Sequence, residues 1–185
     1  MTRDIFDIQD FTVLMESAES EEIITDACHF DEPVIGVAFY GAGDVEMRVS
    51  WQEKQRSFAH TKGLALSFYA DEEVAFVHEI AAQKPLACIV IATTTRNLAH
   101  LPHQGGELFA DFLQQLVKPE DHYVEGPTFL MTPEMQGIVD QLFRIEYQGK
   151  ARMMFFRSQI TVLLSHYFGQ LSLLQQQQLL HPERA

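Results

Sequence analysis

The chain has 185 residues, 46% of them hydrophobic and 21% charged, with a formal net charge of −13. That length suffices for one domain with a real core, or a domain plus a helical appendage. The charge argues against nucleic-acid binding by this chain itself, because neutralising phosphates takes clustered Lys and Arg. MTRDIFDIQD holds no apolar run of the signal-peptide kind, and no stretch is long enough to span a membrane. A cytoplasmic protein is expected.

From Phe11 to about Thr95 the hydrophobic period is two. VIGVAFY, VEMRVSW, QRSFAHT, GLALSFYA, EVAFVHEI and PLACIVIATT follow one another at short spacing, separated by turn-forming pairs and triplets. VEMRVSW alternates strictly, with Val45, Met47, Val49 and Trp51 on one side and Glu46, Arg48 and Ser50 on the other, as in a half-buried strand. The GAGD of Gly41–Asp44 reads as a hairpin turn joining it to VIGVAFY, glycine supplying the positive φ. About seven short strands at this spacing predict an all-β sandwich or barrel over residues 1–100.

Residues 101–185 read as a helical region. ELFADFLQQLV (Glu107–Val117) predicts a short amphipathic helix, and KPEDHYVEGPTFLM a loop. PEMQGIVDQLFRI predicts a second helix, capped by Thr132 with Pro133 in its first turn and Glu134 suited to the dipole. Gly149–Gln178 predicts a third, about thirty residues long. On its helical wheel Met153, Phe156, Ile160, Leu163, Leu164, Tyr167, Leu171 and Leu174 form one apolar stripe for the core. Phe155, Val162 and Leu173, with Gly169 beside them, form a second line, partly at seven-residue spacing. Two polar strips separate the faces, and the second line is expected to be the seam of a homodimer. The alternative is a helix sandwiched within its own chain.

Candidate chemistry is sparse. Cys28 and Cys88 lie in apolar surroundings with no CxxC and read as reduced core thiols. The eight histidines are scattered, without the HxH common in metal-holding β-barrels. Their only close pair, His100 and His103, falls in the loop between the two regions. There is no GxSxG, no Walker loop and no GxGxxG. No metal, cofactor or catalytic residue is therefore expected. Arg48, Lys54, Arg56 and Lys62 cluster within MRVSWQEKQRSFAHTKG, as a solvated strand face or as a site for a small anionic ligand.

The run MTPEMQGIVDQLFRIEYQGKARMMFFRSQITVLLSHYFGQL resembles the segment preceding the DNA-binding part of siderophore-sensing regulators of the AraC family, the pyochelin- and yersiniabactin-regulator type. Tyr147, Gln148 and Gly149 match the family's three-residue core. Arg152, Phe155 and Phe156 match its basic and aromatic positions, and Leu163 and Leu164 its leucine pair. Asp140, Arg157 and Gln159 depart from the pattern. VIGVAFYGAGDVEMRV and HTKGLALSFYADEEV are similar, more loosely, to strands of the sensor barrel.

The resemblance implies a cupin-like β-barrel or jelly roll that binds a small-molecule effector, a ferric siderophore among the candidates, followed by three helices of which the last is long and dimerises. Two helix-turn-helix units would follow the long helix, and DNA contact would run only through that region. A stand-alone binding protein of the same fold and a cupin-type metal-dependent enzyme remain the alternatives. The expected ligand wall is Trp51, Phe58, Phe68 and Phe76, with Arg48, Arg56, His60 and His78 as polar groups; the simpler reading is that these aromatics fill the barrel.

Overall fold

The computed structural model describes residues 1–8, 11–100 and 113–180. Among these residues ten strands build two antiparallel sheets. In chain order they are β1 (Thr2–Ile8), β2 (Phe11–Ala18), β3 (Ile24–Cys28), β4 (Val34–Ala42), β5 (Val45–Trp51), β6 (Lys54–Phe58), β7 (Leu64–Ala70), β8 (Ala75–Ile80), β9 (Leu86–Thr94) and β10 (Tyr123–Leu130). The large sheet has the order β1-β2-β9-β4-β7-β10, and the small one β3-β8-β5-β6. Among the described residues four helices accompany them: α1 (Thr95–His100), α2 (Gln114–Val117), α3 (Pro133–Arg144) and α4 (Gly149–Leu180). The mainly-β barrel followed by helices, the last one long, is the architecture expected from the sequence.

The central strands of the large sheet are buried on both faces. Ile35, Val37 and Phe39 of β4 and Ile89 and Ile91 of β9 face outward into a core shared with α3 and α4. Their neighbours Val34, Ala38, Tyr40, Cys88 and Ala92 face the other sheet. Double burial accounts for the unbroken apolar runs of VIGVAFY and ACIVIA, where a half-buried strand would alternate. The small sheet has an outer face toward solvent, so β5 keeps the strict alternation read from its sequence.

α4 lays its first stripe against the outer face of the large sheet. Phe156, Ile160, Leu163, Tyr167 and Leu171 are buried, and so is Phe168, which the wheel left out. Tyr167 meets Phe39 edge-on at 5.8 Å and stacks on Phe129 at 5.3 Å, while Phe156 stacks on Phe6 at 5.2 Å. α3 begins as its sequence predicts: the Met135 amide donates to the Thr132 hydroxyl at 3.3 Å, with Pro133 in the first turn.

Several local expectations are corrected. GAGD does not close a hairpin, because β4 pairs with β7 and β9 whereas β5 pairs with β6 and β8. The turn instead carries the chain from one sheet to the other. Its Gly43 has φ +84°, and a Cβ there would lie 2.3 Å from the Pro85 carbonyl oxygen. KPEDHYVEGPTFLM is not all loop: Tyr123–Leu130 pairs with β7 as an edge strand. Gly126 and Pro127 masked it, and they fall at the register shift between Glu125 and Thr128, the kind of irregularity where proline is tolerated in a sheet. β1 is a further edge strand, its charged residues and the 62% exposed Ile5 giving no inward stripe to read. α1 was not foreseen, and of the helix expected at Glu107–Val117 the described part is α2, Gln114–Val117.

Candidate functional site

The two sheets face each other, and their edges are tied by ion pairs. On one side Arg3 of β1 bridges the sheets, its Nε 2.6 Å from Glu16 of β2 and its Nη2 2.8 Å from Asp26 of β3. On the other, β6 meets β10 and the loop before it. Lys54 Nζ lies 2.5 Å from Asp121, Arg56 Nε lies 2.9 Å from Glu125, and the Trp51 indole donates to Asp121 at 3.1 Å. The basic cluster seen in the sequence is thus largely engaged internally, and Arg48 lies 3.8 Å from Glu79. This is the geometry of a barrel seam.

Near the Arg3 side the barrel is open. A cavity of about 360 Å³ lies between β1, β2, the Cys28–Glu32 segment and the end of β9, lined among others by Ile5, Thr12, Ala92 and Asn97. Leu14, Cys28 and Phe30 also line a second, narrower space of about 40 Å³ deeper between the sheets. Its wall carries Phe30, Phe68 and Phe76, with ring centroids 5.5–6.0 Å apart. Gly36 faces the Phe68 ring so closely that a Cβ would lie 2.8 Å from its Cζ.

The inner end is polar. Glu16, 3% exposed, and His78, 5% exposed, line it together with Cys28 and Tyr40. His78 stands directly across from Asp26 in the β3–β8 register, and Cys28 across from Phe76. The Tyr40 hydroxyl is 3.0 Å from His78 Nε2 and 3.1 Å from Met47 Sδ. Burial pushes the Cys28 thiol up to about 11, with Glu16 adding to the shift, so it is protonated at neutral pH. Burial also lowers His78 below its ordinary value and keeps its imidazole neutral. Tyr40 and Cys88, fully enclosed, are raised well above theirs by the same desolvation.

Of the eight residues expected at a ligand wall, Phe68, Phe76 and His78 meet at this inner space. The other five line neither cavity. Trp51 packs on Tyr123 at 5.2 Å, and Tyr123 in turn lies 6.3 Å from Phe76, which leaves one ring between the indole and the wall. Phe58 is half-buried beneath the Arg56 guanidinium, 5.2 Å from its centroid. His60 is exposed beside Asp44, with Nδ1 3.2 Å from the carboxylate, so it shares no cavity with His78. Arg48 and Arg56 are held by Glu79 and Glu125. The pair His100 and His103 lies outside the residues whose side chains are described.

Sequence reasoning missed Glu16, Asp26, Phe30 and Tyr40. Glu16 did leave a signal, a lone carboxylate in the apolar run FTVLMESA, but β2 is packed on both faces and its parity was not legible. Among the described residues no helix is long and apolar enough to cross a membrane.

Solved structures similar to this chain include vicilins, a cupin domain and an epoxidase. The vicilin of hazelnut, Corylus avellana, is 14% identical, with a TM-score of 0.38 over 71% of this chain and 39% of its own. A cupin domain from Bordetella pertussis is 10% identical, with a TM-score of 0.36 over 50% of this chain and 92% of its own. Hydroxypropylphosphonic acid epoxidase from S. wedmorenis is 11% identical, with a TM-score of 0.34 over 48% of each chain. The chain spans less than half the length of the vicilin and the epoxidase. No curated protein matches it. The family described as the regulatory protein PchR N-terminal domain matches residues 15–183, from within β2 to beyond α4, and the protein belongs to that family.

Proposed function

We propose that this chain is the effector-binding and dimerisation domain of an AraC-type transcription regulator, and that its effector is a small molecule of the ferric-siderophore class. The observation that carries the reading is the inter-sheet cavity. Its opening, about 360 Å³, falls within the roughly 300–1,000 Å³ typical of small-molecule sites. It leads to three phenyl rings and a short polar floor, the mostly apolar lining with few placed polar groups that such sites share.

The same strands offer a route for the signal. On β4, Ala38 and Tyr40 face the cavity while Ile35, Val37 and Phe39 face the helices. A ligand that shifts β4 or β9 therefore presses directly on the α4 core through contacts such as Phe39 on Tyr167. On the far side of α4, Val162 is 39% and Leu173 54% exposed, and a Cβ on Gly169 would meet nothing within 4 Å. On this reading these three residues form the homodimer seam. Phe155 joins them at its rim, since it is half-buried against Tyr147 at 5.8 Å. Burying each large side chain there is worth about 1.5–3 kcal/mol. A two-fold dimer would present paired half-site readers, with DNA contact left to helix-turn-helix units outside this sequence.

Trp51 is the sole tryptophan and is separated from the wall by one ring, Tyr123. Titration with iron-loaded siderophores of several chemical classes should change its fluorescence saturably after inner-filter correction, with a matching calorimetric heat. Silence from both methods across all classes would overturn the reading.

A further inference from the structure

We propose that Asp26, Cys28 and His78 form a binding site for a borderline-soft divalent transition metal, Zn²⁺ by donor type, beside the inner end of the cavity, which Cys28 and His78 line. A thiolate, an imidazole and a carboxylate are the mixed S/N/O donors that suit zinc, and three protein ligands leave a fourth position open. One ligand atom from each lies within 4.8 Å of the other two. Zn–S near 2.3 Å and Zn–N near 2.0–2.1 Å put tetrahedral ligands about 3.3–3.7 Å apart. Closing the group around an ion takes movements of about 1 Å, within reach of side-chain rotation on β3 and β8.

A second observation points the same way. His78 is 95% buried by its 5% exposure, yet its Nδ1 has no hydrogen-bond partner. Its other nitrogen, Nε2, is 3.0 Å from the Tyr40 hydroxyl, which itself lies within donating distance of Met47 Sδ. With the Tyr40 proton on sulfur, the hydroxyl accepts from Nε2–H, and Nδ1 is left as a bare lone pair. Fixing the imidazole tautomer through its second nitrogen is the usual way a protein prepares a histidine ligand. A buried polar atom without a partner is costly, which leaves Nδ1 as a position open to a ligand. Arg3 engages Asp26 through Oδ2, which leaves Oδ1 as the available carboxylate donor.

The proton balance is simple. Binding one ion through the thiolate releases one proton, from the Cys28 thiol to solvent. Affinity should therefore rise with pH. Glu16, Arg3, Tyr40 and Cys88 are the other titratable or charged groups around the site. This inference stands whether or not the outer cavity takes a siderophore.

Cobalt(II) is the probe, added to the purified chain under reducing conditions. The expected result is one equivalent bound, with a thiolate-to-cobalt charge-transfer band in the near ultraviolet. Cys28→Ser should abolish the band, His78→Gln should weaken binding at least tenfold, and Cys88→Ser should leave both unchanged. Zn²⁺ should displace the cobalt stoichiometrically. Circular dichroism confirms that each variant is folded, and Asp26→Asn serves if His78→Gln is not. No stoichiometric binding by the wild type, or a band that survives in Cys28→Ser, would overturn the site.

Discussion

Removing the Arg3 guanidinium tests how the barrel is held shut beside its opening. Arg3→Met keeps the aliphatic stem and deletes the charge. Glu16 then loses the donor 2.6 Å away while remaining 3% exposed, and Asp26 loses its partner at 2.8 Å. Breaking one side of a fully buried pair costs about 3–5 kcal/mol. Arg3 is itself 30% exposed, so solvent offsets part of this and about 1–3 kcal/mol is the expected loss. Urea unfolding followed by circular dichroism and Trp51 fluorescence measures it. The double variant Arg3→Met/Glu16→Gln should recover about half of the loss, because a neutral amide tolerates the site better than an unpaired carboxylate. A single variant within 0.5 kcal/mol of wild type, or a double variant no better than the single, would show that the pair is not what closes this edge.

Phe156→Ala should destabilise by about 3–5 kcal/mol in the same assay, since its ring is 0% exposed between Phe6 and the Arg152 guanidinium; a loss below 1 kcal/mol would mean α4 is not docked there. Val162→Glu should give a folded monomer by sedimentation, and a variant that stays dimeric would place the seam elsewhere. Tyr123→Phe should be neutral or stabilising by up to about 1 kcal/mol, because the buried hydroxyl has no partner among the described residues; a clear loss would reveal one. In metal-free protein, Cys28 should label slowly at pH 7, and its rate should climb about tenfold per pH unit toward about 11, where the thiolate forms. Rapid labelling at pH 7 would contradict the burial of that thiol.

The parts of this fold that one residue pattern determines were legible in the sequence. β5 alternates because only one of its faces is wet, and α3 announces its start through Thr132 and Pro133. The core stripe of α4 followed from helical periodicity alone. Pairing was less accessible. Nothing in GAGD distinguishes a hairpin from a crossing between sheets, since both need a glycine with positive φ, and only the partners of β4 and β5 decide. β10 was hidden by Gly126 and Pro127, which read as loop until their place at an irregular edge is seen. The site was half legible for the same reason. Phe76 and His78 lie on β8, whose alternation could be read, whereas Phe68 lies on β7, which is packed on both faces. Trp51 and Phe58 share the inward face of the small sheet but are drawn to its seam with β10, whose existence the sequence concealed. Asp26 and Cys28 sit on β3, a short strand at the sheet's edge with no apolar run to announce it.

The central claim is that the effector enters between the sheets, and blocking the entrance tests it most directly. Ala92 is 2% exposed and lines the opening, so Ala92→Phe places a ring in the path. Calorimetric titration of wild type and this variant with the same iron-loaded siderophore is the measurement, with circular dichroism confirming the fold. Saturable binding by wild type and at least a tenfold loss in Ala92→Phe is the predicted result. Equal affinity in the two proteins would place the effector elsewhere on the molecule.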